Sequence, residues 1–108
     1  MVSGKVNSKE MDKLVFKFSG KVWRYSGIGG WHFVTLSEKV SAQIRKTIRE
    51  PCPWGYVKVR ATIGKTSWQT GLWPQAKEKV YLLVIKAEVR QKEGVREGDH
   101  VRGSIELV

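Results

Sequence analysis

The chain has 108 residues, 41% of them apolar, including five tryptophans; this is enough for one core and too short for two, since domains cluster near roughly 100 to 150 residues. The single cysteine, Cys52, excludes an intramolecular disulfide, no apolar run approaches the roughly 18 residues of a membrane helix, and the polar opening MVSGKVNSKEMDK lacks the apolar stretch of an export signal, so a reducing, cytoplasmic setting with no membrane partner is expected. Twenty Lys and Arg against ten Asp and Glu leave a net charge of +10, a surplus that either keeps a small domain soluble or draws it to polyanions.

Residues 1–12 mix charge, Ser, Gly and Asn without a period and read as an arm, while residues 13–108 read as one domain. From Leu14 the apolar residues alternate, Leu14, Phe16, Phe18 and Val22 against Lys17, Ser19 and Lys21, as in a strand with one wet face. Gly27, Gly29 and Gly30 break this pattern, and Trp31 to Leu36 forms the second arm of a hairpin. Ser37 caps an amphipathic helix in which Val40, Ile44 and Ile48 recur every four residues while Lys39, Arg45, Lys46 and Arg49 face elsewhere. Pro51 and Pro53 end it. Tyr56 to Ile63 alternates again with Val57, Val59, Ala61 and Ile63 inward, Gly64-Lys65 turns the chain into Thr66 to Trp73, and Pro74 to Glu78 reads as a polar loop.

Val80 to Ile85 is almost wholly apolar, as in a strand covered on both faces. Lys86 to Glu93 is a short helix closed by Gly94 as a left-handed cap, and Glu97-Gly98-Asp99 is a turn. The final strand, His100 to Val108, sets Val101, Gly103, Ile105 and Leu107 against Arg102, Ser104 and Glu106. Six strands with two inserted helices predict a mainly β fold, a small six-stranded barrel whose closure removes exposed edges. Trp31 through Ile63 and Val80 through Leu107 each carry a strand, a basic helix, a turn and an alternating strand, so an internal pseudo-twofold repeat is expected. Trp23, Trp31 and Trp68 are expected to plug the barrel ends, and Trp54 and Trp73, beside prolines at strand ends, to lie exposed.

The ordered segments WRYSGIGGWHFVTL (23–36), WGYVKVRATIG (54–64), LWP (72–74), YLLVIKAEVR (81–90) and EGVREGDHV (93–101) resemble the DUF1905 family of small prokaryotic domains over about Leu14 to Val108. The resemblance implies a double-split β-barrel and no activity. More weakly, VIKAEVRQKEGVREGDHVRGSIEL (84–107) is similar to the swapped-hairpin repeat of AbrB- and MazE-type DNA-binding regulators, in which two chains build one barrel. Here one chain would supply both halves. Ser37 and Val84 stand where both families commonly place a proline before the helix.

Only His32 and His100 are ordinary general bases, and Cys52, held between two prolines, lacks the flanking signature of a nucleophile, so no catalytic residue and no enzyme are expected. One Cys with two distant His falls short of a zinc set, and Gly27 to Gly30 precedes a strand without the helix N-terminus or Lys-Ser/Thr of a phosphate loop. No metal or cofactor is expected. A basic and aromatic surface remains. Lys39 and Arg45 on the first helix and Lys86 and Arg90 on the second form two symmetry-related patches suited to DNA or RNA phosphates, against the plainer reading in which a helix merely shows its charge to water. The leading expectation is a non-enzymatic binding module for nucleic acid or another polyanion. The alternative is a barrel that binds a small molecule or a protein partner at a rim made by Trp54, Trp73 and Gly27 to Gly30.

Overall fold

The structure, a computed structural model, describes residues 15–48, 55–75 and 77–108. The N-terminal arm, Leu14, Arg49, Cys52 and Trp54 fall outside the described residues. In chain order the elements are β1 (Val15–Arg24), β2 (His32–Thr35), α1 (Glu38–Thr47), β3 (Val57–Ile63), β4 (Thr66–Gln75), β5 (Val80–Val84), α2 (Ala87–Glu93) and β6 (His100–Leu107). The strands close into a barrel in the order β1-β2-β5-β4-β3-β6, every neighbour antiparallel.

Local chemistry explains the elements. Ser37 caps α1 with its side-chain oxygen, which accepts the Val40 N–H at 3.1 Å, and Gly94 ends α2 in the left-handed region at φ 64°. Asp99 Oδ2 accepts the Arg96 N–H at 2.9 Å and so closes the last turn. Each of the five residues of β5 is buried, as a strand covered on both faces requires.

The repeat is a pseudo-twofold. Exchanging β1 with β4, β2 with β5 and β3 with β6 maps the strand order onto itself read backwards, which places the axis across the barrel rather than along it. Two backbone bonds obey the same operation: Leu36 N–H donates to the Tyr81 carbonyl at 2.9 Å, and Ile85 N–H to the His32 carbonyl at 3.0 Å, a shift of 49 residues carrying one onto the other. That shift pairs Val34 with its own counterpart Leu83. Laying Val57-Lys58 on Val101-Arg102 likewise pairs Ala61 with its counterpart Ile105. All four side chains on the axis are fully buried.

The barrel is split at two equivalent places. β1 pairs with β6 over seven positions but with β2 over three, and β4 pairs with β3 over seven but with β5 over four. Because the strands alternate in direction, the β2–β3 and β5–β6 connections leave from opposite ends, so the helices sit at opposite ends. α1 packs on β1 and β5 and buries Ile44 and Ser41; α2 packs on β4 and buries Val89.

Three expectations are corrected. Trp68 lies inside the barrel, but Trp31 is 52% exposed and Trp23 only half-buried on the outer face of the hairpin, because the helices close the ends. Pro74 and Gln75 continue β4 instead of forming a loop. Proline is tolerated there because its partner Tyr81 turns its own N–H and carbonyl toward α1 and Leu36, so this pair needs no N–H from residue 74.

Candidate functional site

Strand parity sorts the outer surface into two unlike walls. On β3, β6 and β1 the outward positions hold Lys58 and Arg60, then Arg102 and Glu106, then Lys17 and Lys21, with Thr62, Ser104 and Ser19 between them. The five cations are exposed. Glu106 faces Arg60 across the ladder without closing an ion pair, and the one ion pair among the described residues is Lys92 with Glu88 at 3.6 Å on α2. The wall therefore presents five cations against one carboxylate. Beside it, between β1, β6 and the start of α1, lies a cleft of about 410 Å³ lined by Lys17, Ser19, Ser37, Val40, His100 and Arg102.

The opposite wall is apolar and aromatic. Val80, Leu82 and Val84 of β5 point outward yet are buried, flanked in register by Thr35 and Phe33 of β2 and by Gln75 and Trp73 of β4. On the same wall lies a groove of about 240 Å³ lined by Tyr25, Trp31, Phe33 and Trp73. Phe33 packs on Trp23 at 5.0 Å and on Trp31 at 6.5 Å, and Trp23 Nε1 donates to Thr35 Oγ1 at 2.9 Å. Tyr56 meets Trp73 at 4.5 Å.

The sequence-derived cations separate into two ends, as the repeat requires. Lys39 and Arg45 sit on α1 at one end and Lys86 and Arg90 on α2 at the other. Lys39 and Lys86 are exposed. Arg45 donates Nη1–H to the Lys79 carbonyl at 3.0 Å and so ties α1 to the β4–β5 turn. Arg90 donates to the Ile85 carbonyl and to His32 Nε2, each at 3.4 Å. His32 Nδ1 lies 2.8 Å from the Gly30 carbonyl, which can only accept. A proton on Nδ1 completes that bond and leaves Nε2 to accept from Arg90. Trp73 is exposed, as expected of it, and joins Trp31 in the aromatic groove and not the Gly27 to Gly30 loop.

Lys17, Lys21, Lys58, Arg60 and Arg102 did not stand out locally. Each is an ordinary outward position of an alternating strand, and only the order β3-β6-β1 gathers them. Among the described residues no three His, Cys, Asp or Glu side chains come together as a metal set, and no helix is long and apolar enough to cross a membrane. Burial pushes the Tyr81 phenol above its ordinary range, and Arg45 pulls it partly back. Residues 18–105 match the family model described as a domain of unknown function, DUF1905. No curated protein matches the chain.

Proposed function

The chain belongs to the DUF1905 family, which brings a fold and no activity, and we propose that it is a non-enzymatic binding module whose basic wall engages nucleic-acid phosphates. The observation that carries this reading is the wall itself: Lys17, Lys21, Lys58, Arg60 and Arg102, all exposed, with Glu106 the only carboxylate among them. Solubility alone calls for mixed charge, not for one sign gathered over three adjacent strands. The hydroxyls of Ser19, Thr62 and Ser104 stand between the cations and add neutral donors for phosphate oxygens.

The test is salt-titrated binding of labelled nucleic acid. Five neutralised phosphates give a log–log salt slope of about −3.5 to −4.5. Reversing three wall charges together (Lys17→Glu, Arg60→Glu, Arg102→Glu) should reduce that slope by about 2 to 3 and weaken binding at every sequence alike. Reversing Lys39, Arg45, Lys86 and Arg90 instead measures what the two ends add. Binding that ignores salt and survives the wall reversal would sink the reading.

A further inference from the structure

We infer that the nucleic acid is single-stranded, its unpaired bases stacked on the aromatic wall and its phosphates on the basic one, an inference that rests on the phosphate-binding reading above. The groove lining of Tyr25, Trp31, Phe33 and Trp73 contains no charged side chain. Tyr25, Trp31 and Trp73 stand 50%, 52% and 46% exposed, although rings of this size gain much by burial. Both indoles are held before any ligand arrives: Phe33 keeps Trp31 within 13° of parallel, and Tyr56 braces Trp73.

Fixed, exposed ring faces favour another flat π system, and charge decides which. A cationic guest would enter a groove with no carboxylate in its lining, against the field of a chain of net charge +10. A sugar would need polar partners along its hydroxyls, and the lining offers only one phenol and two indole N–H groups. A nucleobase asks first for ring faces and carries the anion that the field favours.

The groove also leads into the basic wall. Beyond Trp73, Gly71 has no side chain, and a Cβ there would run into the Tyr56 ring, so Tyr56 lies over β4. Tyr56 then lines a second cleft of about 230 Å³ together with Lys58, Gln69 and Thr70. Arg60 is the next outward residue of β3, with Glu106 of β6 directly opposite it and Arg102 two outward positions further along β6. From β2 to β3 is three strand spacings, about 14 Å, within the span of a few nucleotides. A duplex keeps its ring faces against one another; it can use the basic wall but not the groove.

The experiment is fluorescence anisotropy of labelled twelve-nucleotide oligo-dT and oligo-U and a duplex of the same length, titrated with the full chain and with a Trp31→Ala/Trp73→Ala variant checked for an unchanged melting curve. Both single strands should bind more tightly than the duplex, and each lost stack should weaken single-strand binding about 5- to 150-fold. Duplex affinity and salt slope should not move. In the unmodified chain, single strands and not duplex should quench tryptophan emission, a readout that needs no variant. Equal affinity for all three probes, with unquenched emission and no effect of the substitutions, overturns the single-strand inference and leaves the basic wall standing. No binding of any probe at low salt removes both.

Discussion

Replacing Ser41 with alanine should cost more than its size suggests. Ser41 is the buried polar side chain of the described core, and its Oγ accepts the backbone N–H of Tyr81 at 3.0 Å. In an uninterrupted ladder that N–H would reach a β2 carbonyl, but the chain has left β2 at Thr35 to enter α1, and Ser41 supplies the missing acceptor from the helix. Alanine would leave a buried donor unpaired, a loss of about 1 to 3 kcal/mol, offset by roughly half a kcal/mol of better helix propensity. For a domain of this size the net loss, about 0.5 to 2.5 kcal/mol, lowers Tm by about 2 to 20 °C. Thr47→Ala is the control, since Thr47 Oγ1 bonds the Gln43 carbonyl at an exposed site where substitutions stay within about 0.5 kcal/mol. Thermal melting gives the global effect and amide hydrogen exchange gives the local one, because the Tyr81 amide should lose protection. A Tm within about 2 °C of the parent, with Tyr81 still protected, would mean that another acceptor serves that N–H.

Two further outcomes follow from the same geometry. Gly103→Ala puts a Cβ against the Thr62 carbonyl oxygen and the Phe18 ring, so β6 must move away from β3; a melt should show about 1 to 3 kcal/mol lost, and an unchanged Tm would mean that the ladder can widen there. Tyr81 keeps its proton longer folded than unfolded, so its contribution is fully present below its ordinary value near 10 and is lost as pH rises through the higher folded value, at up to about 1.4 kcal/mol per pH unit. The stability difference between the parent and Tyr81→Phe should therefore narrow as pH rises above about 10, and a difference that stays constant with pH would contradict the burial argument.

Much of the fold is legible in the chain because its cues are local. Alternation marks β1, β3 and β6, an apolar run marks β5, Ser37 starts α1 and Gly94 ends α2. The misread tryptophans show where such cues need one more step. Once Val22 is placed inward, parity sends Trp23 outward, whatever its hydrophobicity. Pro74 reads as a breaker on composition, and its place in β4 depends on where Tyr81 directs its own N–H, which is a tertiary fact. The candidate site is less legible still. Lys58, Arg102 and Lys17 belong to strands far apart in sequence, and nothing in the spacing of the chain states that β6 lies between β3 and β1.

The unlike walls follow from where the pseudo-twofold emerges. An axis across the barrel leaves through two places, between β2 and β5 at Val34 and Leu83, and between β3 and β6 at Ala61 and Ile105. The operation maps each pole onto itself and never onto the other, so duplicated architecture leaves the two poles free to differ. Inside they are alike, four fully buried apolar side chains. Outside, the β2–β5 pole keeps Phe33, Leu82 and Val84 beneath exposed indoles, while the β3–β6 pole keeps Lys58 and its counterpart Arg102. Symmetry thus accounts for a cation recurring on both strands of one pole and for the outward indoles Trp23 and Trp73 at the other, and the groove departs from it at Trp31, whose counterpart by the 49-residue shift is Val80. A ligand that spans both walls has two routes, from β2 directly onto the neighbouring β1 or over β4 by way of Tyr56, whose ring covers Gly71, and only the second adds a further ring face along the way.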